Sequence, residues 1–424
     1  WRAFSKGVWH EHGASDLIQK AVFEIVSSKL THNPHIEKLG NLQFLKGCVA
    51  LCQVHLFDAS FDESLDANTS LVAFNDGWLF ERGVGYRPTE PRDRVSKTVG
   101  YAHTAVLEST KQDGAREFFA SLFPETEMAD YMVRILAAAL FNAPIEEFYL
   151  LVGSGSNGKT VMMSLLKRAF GEYFKDLPHQ VITQVQKDSE APSPQLACTQ
   201  GCRLCNTAEP SESDTIQTSR LKLLAGNERL TIRQLYKRPV DVHVRFKLLM
   251  SVNDVPDLSS SGNSVARRFR MLPFQITFTD TPTGANERQS NSEYESDEWR
   301  AQIAPALLSI LLGAPLPTTR NITCPQLVAD LSTEHVRTVL DDLANYLQQN
   351  TRLEDSADDA STMTVFKATV LQHLRGVRRK KVSLGCLKNQ MVELGYLEHE
   401  AHRSTGEHVR GWKKDGQWLF VPDF

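Results

Sequence analysis

Apolar positions along this chain alternate between helical and strand-like rhythms. At 15–30, SDLIQKAVFEIVSSKL places Leu17, Ile18, Ala21, Val22, Ile25 and Val26 at helical spacing, with Ser15 or Asp16 as cap. LVAFNDGWLF at 71–80 reads as two strands about an Asn-Asp-Gly turn, and GYRPTEPRDRVSKT after it as a loop. A second helical block runs from about Ala115 to Asn142: EFFASLF, a break at Pro124, then EMADYMVRILAAALF. Short apolar runs follow: FYLLV at 148–152, CRLCNTAE at 202–209 and KLLMSVND at 247–254. Helical stretches lie between and around them, which predicts an α/β layer with a parallel sheet.

Beyond that sheet the rhythm fails and then returns. Residues 281–298, TPTGANERQSNSEYESDE, are nearly free of apolar side chains, a composition that predicts a mobile linker or loop. A helix over 299–312 and a proline-rich connection over 314–325 come next. Helical patterns at 338–349, 363–375 and 383–394, with strands near 395–400 and 417–422, suggest a small winged-helix-like domain. The expected organisation is a mixed α/β domain over 1–112, a helical oligomerisation or collar segment over 113–146 and an ATPase core over 147–280. The linker (281–298), a helical extension (299–337) and the terminal domain (338–424) complete it.

Composition narrows the function classes. With 41% hydrophobic and 23% charged residues the 424-residue chain is globular in type, with room for roughly two to four domains. No run of 18 apolar residues exists, so no membrane association is expected and an intracellular setting is. The chain starts at Trp1 without signal-peptide character and is expected to be a fragment of something longer. A net charge of −4 means that any nucleic-acid contact must come from local clusters. Cys198, Cys202 and Cys205 share the spacing of a cluster ligand set. No nearby fourth ligand completes a zinc site, and the segment reads as a strand in which cysteine is an apolar filler. His10 and His12 read as surface residues.

The chemistry is concentrated at 149–160, YLLVGSGSNGKT, where an apolar run enters a glycine-rich turn. The spacing G-x-x-x-x-G-K-T runs from Gly153 through Ser154, Gly155, Ser156, Asn157 and Gly158 to Lys159 and Thr160. Gly153, Gly155 and Gly158 permit backbone angles that point successive N–H groups at an anion. The helix that follows offers its positive end to the same phosphates. Lys159 has the reach for β- and γ-phosphates and Thr160 a hydroxyl for Mg²⁺. The turn thus predicts ATP or another nucleoside triphosphate as ligand.

Later residues discriminate among such proteins. The base-reading Asn-Lys-x-Asp of GTPases is missing. TIRQLY and VDVHVRF are β-prone segments joined by Tyr236-Lys237-Arg238-Pro239, a hairpin whose cationic tip suits either a phosphate backbone or solvent. Asn253 ends an apolar strand, where its amide can meet a γ-phosphate or an attacking water. Glu209, at the end of RLCNTAE, is placed to polarise that water or orient Mg²⁺; Glu212 and Asp214 are close rivals. Arg267 and Arg268 suit charge on a transferring phosphoryl group, or else a surface ion pair. Arg375, Arg378, Arg379, Lys380 and Lys381 form a cluster that serves either duplex DNA or a solvated face.

The order GSGSNGKT, LCNTAE, IRQLYKRP, LLMSVND and ARRF resembles a superfamily 3 helicase, in particular the poxvirus-type and phage or plasmid primase–helicase family. WRAFSKGVW, FNDGWLFE and EFFASLFP resemble that family's pre-helicase region, and Asn157 within the glycine turn is typical of it. The resemblance covers roughly residues 1–280 and the tail only loosely. It implies an AAA+-like ATPase core and a homo-oligomeric ring, a hexamer, with ATP and Mg²⁺ between subunits. Lys159, Thr160 and Glu209 would come from one subunit and a finger, Arg267 or Arg268, from the next. Asn253 would be the sensor, and Tyr236, Lys237 and Arg238 would grip one DNA strand in the channel of a forked duplex. An upstream primase domain or other replication proteins would be partners, in host cytoplasm, nucleus or viral factory alike. Two readings stand beside it: an NTPase that loads or remodels replication proteins, and an origin-binding scaffold regulated by ATP.

Overall fold

The computed structural model describes residues 2–11, 14–29, 42–58, 60–184, 194–211, 214–226, 229–232, 240–259, 263–378 and 384–421. The chain opens with a two-stranded ribbon, β1 (Ala3–Ser5) and β2 (Val8–His10), and two helices, α1 (Ala14–Lys29) and α2 (Leu42–Leu56). A three-stranded meander follows: β3 (Leu71–Ala73), β4 (Trp78–Glu81) and β5 (Gly85–Pro88). Gly77 turns the first hairpin at φ +82°, a left-handed angle open to glycine without cost. Helices α3 (Gln112–Leu122) and α4 (Thr126–Leu140) are parted by Phe123, which is extended because it precedes Pro124.

The central sheet comprises β6 (Phe148–Val152), β7 (Phe174–Leu177), β8 (Leu204–Thr207), β11 (Lys247–Val252) and β12 (Phe269–Pro273), reached past helix α5 (Lys159–Phe170) and the ribbon strands β9 (Arg229–Ile232) and β10 (Val240–His243). Its order is β12–β6–β11–β8–β7, and every pairing is parallel. Along β6, Tyr149 and Leu151 enter one apolar core while Phe148 and Leu150 enter the other. Both faces are covered, so the strands read as unbroken apolar runs rather than alternating ones. The mixed α/β architecture with a parallel sheet agrees with the sequence reading. Arg203, buried at the entrance to β8, donates to the carbonyls of Leu140 and Leu71 and stands 4.1 Å over the Tyr173 ring. One guanidinium thereby ties α4 and the meander to the sheet.

The expected linker is built structure. Strand β13 (Thr277–Thr279) pairs with β14 (Glu287–Gln289), and Ser292–Glu295 form a turn of 3₁₀ helix. Ser296 then accepts from the Trp299 N–H at 3.1 Å and caps α6 (Asp297–Gly313). Backbone and side-chain hydrogen bonds hold this segment where apolar burial does not. The boundary expected at 338 also falls inside a helix, because α7 runs unbroken from Gln326 to Asn350.

The terminal unit packs α8 (Met363–Arg378) and α9 (Leu384–Glu393) with the end of α7 on a four-stranded sheet. Its strands are β15 (Arg352–Glu354), β16 (Leu397–His402), β17 (His408–Lys414) and β18 (Gln417–Phe420), in the antiparallel order β15–β18–β17–β16. No helix among the described residues is long and apolar enough to cross a membrane.

Candidate nucleotide site

The glycine turn joins β6 to α5 at the C-terminal edge of the sheet. Gly155 (φ +103°), Ser156 (φ +46°) and Gly158 (φ +79°) all take left-handed angles, which curl the backbone into a cradle. Two of the glycines are also required by close neighbours. A Cβ on Gly153 would meet the Asn157 amide and, at 2.8 Å, the Phe274 carbonyl; one on Gly158 would meet Leu122 and, at 3.3 Å, the Phe278 ring. Lys159 starts α5, is 7% exposed and donates from Nζ to the Gly153 carbonyl at 2.5 Å. Burial holds its pKa below the usual lysine value, against the pull of Glu209. The buried Asn157 Nδ2 has no hydrogen-bond partner among the described residues. Thr160 is exposed and lines the cleft, and Ser154 on the turn is exposed. A desolvated cation, an orphaned amide and inward-turned backbone fit a phosphate chain.

Glu209 and Asn253 follow β8 and β11, which pair in parallel next to β6. The Asn253 N–H donates to Glu209 Oε1 at 2.6 Å and its Nδ2 to Oε2 at 3.3 Å. Two residues singled out separately in the sequence thus form one unit beside the glycine turn. Asp214 is occupied elsewhere, 3.3 Å from His179 and bonded to the Ser211 N–H, and Glu212 lies outside the described residues. Among the described residues no group of three His, Cys, Asp or Glu is arranged to hold a metal. Mg²⁺ commonly takes one or two protein oxygens and completes its shell with phosphates and water, so Thr160 with Glu209 nearby fits it.

The two arginines stand at the opposite edge. The Arg268 carbonyl accepts from the Phe148 N–H, at the start of β6. The 5-residue length of that strand, about 17 Å, separates them from the turn. They also differ from one another. The Arg268 side chain is 12% exposed, pairs with Glu146 at 2.7 Å and donates to the Ser264 carbonyl. The Arg267 side chain is 61% exposed and 4.0 Å from the same carboxylate. Below them lies a buried charged layer, with Arg270 and Glu147 paired at 2.8 Å and Lys247 donating to the Ile145 carbonyl at 2.8 Å. Burial pushes the Glu147 carboxyl up and the Lys247 amine down to about 7.

Strands β9 and β10 pair as the expected hairpin, while its tip, with Tyr236, Lys237 and Arg238, lies outside the described residues. So do Arg379, Lys380 and Lys381; Arg375 and Arg378 fall on α8. Cys202 and Cys205 are buried and Cys198 is exposed.

The turn opens into a cleft of about 550 Å³. Its lining also includes residues outside the motif: Phe118, Phe278, Asp280, Asn291, Tyr294 and Glu295. A lone tyrosine in an otherwise polar stretch was the available sequence signal for them.

Residues 151–268 match a family described only as of unknown function, DUF5906. The "Putative helicase L207/L206" of Acanthamoeba polyphaga mimivirus is 32% identical over 246 residues, 57% of this chain and 26% of that protein. The "Putative helicase 121R" of Invertebrate iridescent virus 3 is 26% identical over 63% of this chain and 28% of its own length. The "Putative primase C962R" of African swine fever virus (isolate Tick/Malawi/Lil 20-1/1983) is 22% identical over 62% of this chain and 27% of its own. Among solved structures, the NrS-1 C-terminal region superposes with a TM-score of 0.43 at 12% identity, over 72% of this chain and 75% of that one. The chain spans about a quarter of the length of these viral relatives. It is similar to putative helicases and primases of large DNA viruses.

Proposed function

We propose that this chain is the motor part of an ATP-dependent, ring-forming DNA helicase that serves viral or mobile-element replication. The observation that carries this reading is that Glu209 and Asn253 follow adjacent strands and are hydrogen-bonded to each other, with Asn253 lining the same cleft as the glycine turn and Lys159. In that arrangement the backbone N–H groups of 153–158 and Lys159 bind the phosphates. Thr160, with Glu209, would hold Mg²⁺, which would supply charge neutralisation for the phosphates. Glu209 accepts from both the backbone N–H and the Nδ2 of Asn253; rotation of the side-chain amide toward a γ-phosphate would release only the Oε2 bond, leaving the backbone N–H to hold Oε1 while Oε2 orients water. The pair is a switch whose two settings differ by which partner the amide chooses.

An arginine at the far edge of the sheet reaches no phosphate in its own subunit, but suits the site of a neighbour in a ring. Arg267, more exposed and loosely held, is the finger; Arg268 is a structural partner of Glu146. Lys237 and Arg238 on the β9–β10 hairpin would grip single-stranded DNA in the channel, and the core is read as AAA+-like with a winged-helix unit at its end. The alternative of a loading NTPase gains from the same cleft but predicts no strand separation. The test is ATP turnover with and without forked DNA, together with unwinding. DNA-stimulated turnover without unwinding favours the loader, and no turnover at all refutes both.

A further inference from the structure

The cleft is larger and chemically more divided than a phosphate chain requires. Its volume of about 550 Å³ falls in the range of sites that enclose whole small molecules. Its lining combines Lys159 and the curled backbone of the glycine turn with the aromatic rings of Phe278 and Tyr294 and the carboxylates of Asp280 and Glu295. Two acidic side chains repel phosphates and accept from N–H and O–H donors. A triphosphate seated on the glycine turn and Lys159 leaves these rings and carboxylates to the nucleoside.

The segment that carries these rings and carboxylates is fixed in place. The Phe278 N–H donates to the Ser156 carbonyl at 2.6 Å, tying the segment to the glycine turn itself. Arg288 Nη1 donates to the carbonyls of Ala120 at 2.7 Å and Ser121 at 2.8 Å, at the end of α3. Tyr294 is edge-on to Phe118, with centroids 5.3 Å apart at 88°, and tilted against Trp299 at 4.8 Å. Asn291 Oδ1 accepts from the Glu293 N–H at 3.0 Å, which orients its amide nitrogen as a donor.

We infer that the segment from Phe278 to Glu295 is the nucleoside side of the site: Tyr294 and Phe278 supply apolar faces for the base, and Asp280, Asn291 and Glu295 meet the polar edges of base and ribose. This deepens the reading of the cleft as a nucleotide site and rests on it. The test is the affinity of the full chain for Mg-ATP and for inorganic tripolyphosphate, with Tyr294→Ala and Tyr294→Phe compared with wild type. Removing the ring should weaken Mg-ATP about tenfold or more, the size of a lost base–aromatic stack. Tripolyphosphate should stay within about twofold, a small change on a scale where tenfold is about 1.4 kcal/mol. Tyr294→Phe should keep Mg-ATP binding. Equal loss of both ligands in Tyr294→Ala, or loss of neither, would overturn the inference. Wild-type protein that bound neither ligand would overturn the nucleotide reading beneath it. Wild type that bound both while Tyr294→Ala kept Mg-ATP would overturn only the assignment of the segment.

Discussion

Replacing Arg267 and Arg268 one at a time should separate stability from catalysis. Arg268 makes a 2.7 Å charged hydrogen bond to Glu146 and a second bond to the Ser264 carbonyl, with its side chain only 12% exposed. Charged hydrogen bonds of this kind contribute about 1.5–3 kcal/mol. Glu146 retains Arg320 at 3.0 Å in the Arg268→Ala variant, but that arginine is 78% exposed and its pair screened. Arg268→Ala should therefore lose about 2–3 kcal/mol, which lowers the unfolding midpoint by about 4–12 °C for a motor unit of ordinary size. Arg267 sits 4.0 Å from Glu146 and is 61% exposed, so Arg267→Ala should fold within about 0.5 kcal/mol of wild type. Its loss should appear in turnover, reduced about 10³-fold or more as for other arginine fingers, and partly restored on mixing with Lys159→Ala subunits. Thermal unfolding and steady-state ATPase on both variants give the answer. An Arg267→Ala protein with turnover within a few-fold of wild type, or an Arg268→Ala protein as stable as wild type, would refute the reasoning.

Three other outcomes follow from the geometry. Gly158→Ala places a side chain at φ +79° and against Leu122 and Phe278; about 2–4 kcal/mol should be lost in denaturant unfolding. Lys247 has a folded pKa of about 7, below its ordinary value. Above about pH 7 the unfolded chain binds more protons, so stability from this group should rise with pH toward the ordinary lysine range, and Lys247→Met should flatten that rise in pH-dependent unfolding. Lys237→Ala with Arg238→Ala should keep basal ATPase but lose DNA stimulation and unwinding in parallel assays of both activities.

The parallel sheet was legible because strands buried on both faces leave unbroken apolar runs, as FYLLV does, and because a glycine turn ends one of them. The β9–β10 hairpin was legible from two β-prone segments about a proline-containing turn. The wall of the cleft was not. Residues 281–298 carry almost no apolar pattern, and their anchors are carbonyls of Ala120 and Ser121 more than 160 residues earlier in the chain. The same holds for the two arginines. Sequence makes them equivalent, and only Glu146, 122 residues from Arg268, tells them apart. The unbroken α7 was not legible for a local reason: the apolar pattern changes near 338, but no residue there stops a helix. Glu209 and Asn253 were each visible as strand-end polar residues. Their mutual hydrogen bonds depend on the strand order β6–β11–β8, which the chain order does not reveal.

Unwinding of a forked DNA duplex by the chain, in the presence of ATP and with Lys159→Ala as control, tests the central claim most directly. The account predicts strand separation that requires ATP and disappears in Lys159→Ala, since the cation nearest the transferred phosphate is gone. Unwinding that survived in Lys159→Ala would contradict the claim that this cleft drives the motor.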